Sequence, residues 1–230
     1  MISHGVVRAR KLISDQAAQS DIPDWCLAEL SGRLCELLAP AAGSESSALL
    51  TAATQLTADA QRCGEPVAWI CAASALFFPP DLESNGIDLQ ALAIVRVADA
   101  QAAFQAADQL LRSGSFGLLV IDLTAVEAAV ADTVLGRLGG LARTHQAAVL
   151  FLCSAEAAAN AGAGGSVGNT QSTGSTGGSG LGSMVSLRAH ARSRASSAGR
   201  FTVEIEVLKD KRRGAPWRWT ETCDGPPGLS

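Results

Sequence analysis

Five short apolar runs, RLCELL (33–38), VAWIC (67–71), AIVRV (93–97), LLVID (118–122) and AVLFLC (148–153), recur through the first two thirds of the sequence. Each is shorter than a helix needs and more continuously apolar than a half-wet strand, so each reads as a buried strand. The stretches between them carry helical periodicity. Ser46 to Cys63 sets leucines and alanines at helical spacing and stops at Gly64. DAQAAFQAADQLLRSG opens on Asp and closes on Gly, as a capped helix does, and an alanine- and leucine-rich helix separates LLVID from AVLFLC. Apolar strands that alternate with helices form a largely parallel sheet covered on both faces. The expected fold is α/β, a doubly wound, mostly parallel sheet.

Past the fifth run the pattern changes. AEAAANAGAGGSVGNTQSTGSTGGSGLGS, about 155–183, is too poor in large apolar side chains to pack and too rich in glycine to hold one conformation, so a flexible loop is expected there. MVSLRAHAR and FTVEIEVLKDK then alternate apolar and polar positions, with Phe201, Val203, Ile205 and Val207 on one face. That is the pattern of antiparallel or edge strands. PWRW and GPPGLS read as irregular, turn-rich chain. Residues 1–27, which contain IPDWC, read as an arm leading into a single domain, with Trp25 packed against it.

With 230 residues, 47% hydrophobic and 4% aromatic with no tyrosine, the core is expected to consist of Ala, Leu, Val and Ile. Six scattered cysteines form no CxxC pair, and the start of the chain shows no charged-then-apolar signal, which points to reduced, buried thiols in the cytoplasm. No run approaches the roughly 18 apolar residues of a membrane span, so no membrane partner is expected. His4, His145 and His190 lack ligand spacing, and no Ser, His and Asp set forms a nucleophile motif; no metal site or hydrolytic triad is expected. The net charge of -4 hides a segregation: between Arg188 and Arg218 nine Lys or Arg face three acids. That segment is a local positive field on an acidic chain.

The chemistry centres on Ala39-Pro40-Ala41-Ala42-Gly43-Ser44-Glu45-Ser46, between the first strand and its helix. A phosphate-binding loop of the GxxxxGK[ST] type needs glycines for close backbone approach, a lysine for the phosphates and a hydroxyl for magnesium. Here only the hydroxyl residue remains, and Glu45 stands where the lysine belongs. The exchange changes the local charge by two units, and at 4 Å each unit pair is worth about 4 kcal/mol at an effective dielectric near 20. Asp122 ends its apolar strand where nucleotide-hydrolysing domains keep a magnesium-orienting acid; an ordinary acidic strand end is the other reading.

The order of these segments resembles the RecA recombinases, and more closely their divergent relatives of the ImuA type. GRLCELLAPAAGSESSALL looks like the strand, loop and helix of the nucleotide site, and VAWICAASAL like the segment that carries the catalytic glutamate in RecA. NGIDLQALAIVRVADAQAAFQAADQLLRSGSFGLLVID follows the family's order of elements. TGGSGLGSMVSLRAHARSR looks like the end of the second DNA-binding loop with its following strand, and VEIEVLKDKRRGAPWRW like the last strand with its Lys-x-Lys. The resemblance covers roughly residues 28–228 and implies a RecA-like P-loop core with C-terminal antiparallel strands.

The departures shape the implied function. Ala73 matches the catalytic glutamate, Glu45 the loop lysine and Ser154 the nucleotide-sensing glutamine, so three parts of one catalytic apparatus are gone. The resemblance leaves a degenerate nucleotide site of Gly43, Ser44, Ser46 and Asp122, with no cofactor expected and ATP the one candidate. Lys209 and Lys211 match the pair that reaches a neighbouring subunit's nucleotide in RecA filaments. Together with Arg188, Arg192, Arg194, Arg212, Arg213 and Trp217 they are the candidates for contact with DNA or a partner. Basic residues interleaved with Trp217 and Trp219 suit single-stranded DNA; the same tryptophans equally suit anchoring of the last segment on the core.

The implied role is a non-catalytic accessory protein of the SOS response in error-prone translesion synthesis. Its implied partners are an ImuB-like Y-family polymerase homologue, an error-prone polymerase, RecA and single-stranded DNA, with self-association open. The alternatives are an ATP-dependent DNA-binding ATPase and a SulA-like division inhibitor.

Overall fold

Four of the five apolar runs become strands that bury their side chains in one of two cores, and AIVRV (93–97) becomes a strand that is only half-buried. The computed structural model describes residues 24–39, 46–75, 77–83, 85–126, 130–154, 181–196 and 199–224. The runs form β1 (Leu34–Ala39), β2 (Val67–Ala72), β3 (Leu92–Val97), β4 (Leu118–Asp122) and β5 (Ala148–Ser154), followed by β6 (Leu187–Ala195), β7 (Arg200–Asp210) and β8 (Trp217–Asp224). They make one eight-stranded sheet in the order β3-β2-β4-β5-β1-β6-β7-β8. The three long helices are α1 (Ser46–Arg62), α2 (Ala100–Ser113) and α3 (Asp132–His145). The fold is the α/β, mostly parallel architecture expected, with antiparallel strands at its C-terminal edge.

Two details differ from the sequence reading. β6 pairs parallel with β1 on one side and antiparallel with β7 on the other, so it extends the parallel sheet before the chain turns back. PWRW, read as irregular, instead opens the edge strand β8, which runs to Asp224. Period-2 alternation turns Trp217, Trp219 and Cys223 inward against the core, and the neighbouring prolines masked that signal. β3, at the opposite edge, leaves Ile94 partly exposed.

α1 lies on one face, where Leu49, Ala52, Ala53 and Leu56 meet Leu37, Trp69, Val120, Leu150 and the inward side of β6 and β7. α2 and α3 cover the other face, where Phe104, Leu135 and Leu138 meet Leu38, Ile121, Phe151 and Val149. Helical caps fix the ends of α2: the Asp99 carboxylate accepts the Ala102 amide at 2.8 Å, and Gly114 closes the helix in the left-handed conformation (φ 66°).

Beyond β1 the second face of the sheet changes character. β6, β7 and β8 bury one side under α1, while Arg192, Arg194, Thr202, Glu204, Glu206 and Arg218 face the other way, uncovered by any described helix. Trp25 is buried and its indole N–H donates to the Ala52 carbonyl at 3.0 Å, which pins the segment before β1 onto α1. All six cysteines are free; burial pushes the Cys35 thiol up to about 12 and Cys153 well above its ordinary value, as suits inert core thiols.

Candidate functional site

Parallel strands aim their carboxyl ends at one side of the sheet, and in open α/β sheets that is where ligands sit. β2, β4, β5 and β1 are neighbours in that order. Ala72 therefore ends beside Asp122, and Ser154 is paired with Ala39, the last residue before the candidate loop. At about 4.8 Å per strand, the row from β2 to β1 spans roughly 14 Å. The sequence candidates Ala73, Asp122, Ser154 and Ser46, the first residue of α1, are thus collected on one rim. Gly43, Ser44 and Glu45 lie outside the described residues.

The rim holds little chemistry. Asp122 is buried, and its Oδ1 accepts the Thr124 amide at 3.0 Å and the Thr124 hydroxyl at 2.6 Å, a turn closed by its own neighbour. Among the described residues at the ends of β1, β2, β4 and β5, Asp122 is the one carboxylate. The guanidinium of Arg96, at the end of β3, donates to the carbonyls of Ala72 (3.2 Å) and Phe77 (3.0 Å), so it fastens the turn after β2.

The basic residues lie elsewhere. Lys209 pairs in register with Arg188, and Arg188 with Glu36 in β1, which sets the Lys-x-Lys near the amino end of the parallel strands. From Glu36 to Ala39 is three residues, about 10 Å along the strand, and Lys209 is two strands to the side. Lys209 and Lys211 therefore start from backbone positions set back from the chain's own rim.

Much of the basic segment is committed within the fold. Arg188, expected to contact DNA or a partner, is instead 14% exposed at its side chain and bonded through Nε to Glu36 at 2.5 Å, with Glu36 fully buried. The pairing has a plain cause: Glu36 is a charge in the middle of a buried strand and needs a cation. Arg213 forks onto Glu29 (2.5 and 3.1 Å), and Arg212 donates to the carbonyls of Glu29 and Ser31 (both 3.2 Å). Arg194 lies 3.7 Å from Glu204, and Arg218 pairs with both Glu204 and Glu206. Arg192 stands opposite Glu204 in the ladder. The open face of β6–β8 is therefore laced with opposite charges, which weakens it as a surface for phosphates.

Trp217 resolves toward anchoring: its ring packs on the core and its indole N–H donates to Asp210 at 3.1 Å. Asp210 is the hub that the sequence reading missed. It takes a 2.5 Å ion pair from the buried Arg33 as well as the amides of Arg212 and Arg213. Two signals were present: a charge inside the apolar run for Glu36, and a lone acid between two lysines for Asp210.

Lys209 and Lys211 are different. Both ammonium groups converge on one neutral acceptor, the Ser183 carbonyl, at 3.1 and 2.7 Å. Burial, then Lys211 and Arg188, lower the Lys209 ammonium below the ordinary lysine range. Among the described residues neither ammonium group is within ion-pair distance of a carboxylate, although the Glu36 charge acts on Lys209 from further off. Such a cation pair is the part of the basic segment suited to an oxyanion.

Known proteins resemble the chain in part. The family model of the RecA N-terminal domain matches residues 29–157. Protein RecA of Nocardioides sp. is 41% identical over 95 residues, covering 41% of this chain and 25% of the relative. Protein RecA of Rubrobacter xylanophilus is 38% identical over 94 residues, 41% of this chain and 26% of the relative. Protein RecA of Thermotoga neapolitana is 34% identical over 112 residues, 46% of this chain and 30% of the relative. The chain thus spans a quarter to a third of the length of these curated relatives. No helix among the described residues is long and apolar enough to cross a membrane.

Proposed function

The chain belongs to the family of the RecA N-terminal domain, and from that premise we propose that it is a non-catalytic, ImuA-type accessory protein of DNA repair. In this reading it acts in the cytoplasm during the SOS response, in error-prone translesion synthesis. The RecA-like core is kept as a docking body, and nucleotide turnover is lost. Its partners are an ImuB-like Y-family polymerase homologue with an error-prone polymerase, RecA itself, and single-stranded DNA held at the Lys209–Lys211 end.

One observation carries the reading. The rim that would activate water and hold phosphates offers a single described carboxylate, Asp122, tied to Thr124, and Ala73 follows β2. Phosphoryl transfer depends on positioned charge, and a rim of alanine and serine supplies little of it. Glu45 adds repulsion in the loop.

The test measures ATP binding and DNA-stimulated phosphate release in the wild type and in Glu45→Lys, alongside capture of purified RecA and of the polymerase homologue. Expected are no phosphate release and retention of at least one protein partner. Micromolar ATP affinity with DNA-stimulated turnover would sink the reading. It would favour an ATP-dependent ATPase completed between subunits, a second reading supported by the set-back of Lys209 and Lys211 from their own rim. Binding to FtsZ alone would instead favour a SulA-like division inhibitor.

A further inference from the structure

The sheet has two edges, and β8 is the longer of them. Its ladder with β7 runs from Trp217 to Asp224 without a shift in register, and among the described residues no strand lies on its outer side. Natural edge strands are blunted by proline, lysine or a bulge. WRWTETCD has none of the three. Its outward N–H and C=O groups are therefore open to a further strand.

The side chains along that edge follow a pattern. On the α1 face Trp219 and Cys223 are half-buried against the core, and Glu221 stands exposed between them. On the opposite face Arg218 lies near one end and Asp224 at the other, with Thr220 and Thr222 between, all four exposed. β7 extends each position inward: Glu206 is opposite Arg218 and Arg200 opposite Asp224, while Ile205 is opposite Trp219 and Phe201 opposite Cys223.

Such a strand complements itself. Laid antiparallel to a second copy with Glu221 on the two-fold axis, β8 sets Arg218 opposite Asp224 of that copy, Trp219 opposite Cys223 and Thr220 opposite Thr222. Both members of each pair stand on the same face, as an antiparallel ladder requires. One row then alternates in charge, Glu206 and Arg218 of one copy with Asp224 and Arg200 of the other. The row on the α1 face stays apolar, Ile205 and Trp219 of one copy with Cys223 and Phe201 of the other. Moving the axis by one residue, to Thr220, sets Trp219 opposite Glu221 and Arg218 opposite Thr222, which breaks both rows.

We infer that β8 is a self-association edge: two copies pair β8 to β8, antiparallel about Glu221, and make one sheet continuous across a closed two-fold dimer. The inference is independent of the proposed role in translesion synthesis. One strand pair is well below the roughly 1,200 Å² of a stable interface, so the dimer is weak and concentration-dependent. Glu221 limits it further, because like charges directly opposed destabilise a ladder. Of the charged groups that act on Glu221, Asp24 adds to the repulsion and Arg62 of α1 opposes it.

Sedimentation velocity of the full chain under reducing conditions, from low micromolar to near-millimolar concentration, is expected to show a monomer passing to a dimer and no further. Thr220→Lys/Thr222→Lys, at exposed positions and checked by circular dichroism, sets lysine against lysine across the axis and is expected to weaken the dimer at least tenfold. If it misfolds, Asp224→Lys, which then opposes Arg218 of the second copy, serves in its place. Glu221→Gln removes the opposed charges and is expected to strengthen the dimer several-fold. Glu221→Cys, oxidised in the assembled dimer, is expected to link the two copies at that position, as read from the cross-linked peptide, and Thr220→Cys is not expected to link to itself. A chain that stays monomeric throughout, an assembly that grows past the dimer, or a dimer undiminished by the lysine substitutions overturns the inference. A dimer that the lysines weaken but that forms no link at position 221, or that Glu221→Gln leaves unchanged, removes Glu221 from the axis and overturns the assigned pairing.

Discussion

At the level of single residues, the decisive groups are two buried carboxylates. Glu36 is fully buried and its Arg188 partner nearly so. Removing one member of such a pair strands a charge in the core, whereas replacing both by apolar groups of similar size is often neutral. Arg188→Met is therefore expected to lose about 3–5 kcal/mol in urea unfolding, with Glu36→Met/Arg188→Met recovering most of it. A double variant no more stable than the single one would mean that the pair does more than neutralise itself. Asp210 gives a pH dependence. Burial pushes its carboxyl up, but the Arg212 amide, the Arg33 guanidinium and the Trp217 indole outweigh burial and hold it below the ordinary 3.8. A carboxyl whose folded value lies below its unfolded one contributes stability above the unfolded value and loses it as pH falls through the folded value. Stability is thus expected to fall below about pH 4, where unfolded aspartates titrate, and Asp210→Asn to lower stability at neutral pH and flatten that acid limb. An unchanged acid limb in the variant would remove Asp210 from the cause.

Elements divide into those legible in the sequence and those set by distant partners. α2 was legible because its signals are local: Asp99 caps it, and Gly114 ends it with positive φ. Asp99→Ala is expected to cost about 1 kcal/mol. Gly114→Ala is expected to cost a similar or larger amount, because a Cβ there meets the His145 ring at 2.8 Å in a backbone conformation alanine resists. Thermal unfolding of both variants checks this, and a stabilised Gly114→Ala would contradict the cap. The strands from β1 to β5 were legible for the same reason, since burial on the sheet writes itself as an apolar run. β8 was not, because Trp217 and Trp219 owe their inward faces to the core under α1 and to Asp24, both far off in sequence, and to Asp210 across the preceding turn. The rim candidates Asp122 and Ser154 were readable from strand ends, but the Thr124 turn that occupies Asp122 depends on side-chain geometry that spacing does not carry. The Glu36 partner of Arg188 was hidden on similar grounds: the two residues are far apart in sequence and meet only through the pairing of β1 with β6.

For the molecule as a whole, the question is how many of its clustered cations can meet an anionic polymer. Of the nine between Arg188 and Arg218, four are paired with carboxylates in the fold: Arg188, Arg194, Arg213 and Arg218. Arg192 faces Glu204 across the ladder, and Arg200 begins β7 while Lys209 stands near its other end. What remains close together is Lys209, Lys211 and Arg212, on a chain of net charge -4. Each phosphate neutralised on a single strand contributes about -0.7 to the slope of log affinity against log salt, so three contacts predict a slope near -2 and nine would give one near -6. Oligothymidylate titrations from low to moderate salt are therefore expected to give the shallow slope and weak binding. Lys211→Gln is expected to remove a little under one unit, about 0.7. A steep slope would mean that the ion pairs of the β6–β8 face open to receive DNA, and the variant that separates the cases is Arg194→Gln/Arg218→Gln. It leaves a shallow slope unchanged if those arginines serve the fold, and reduces a steep one if they serve the ligand.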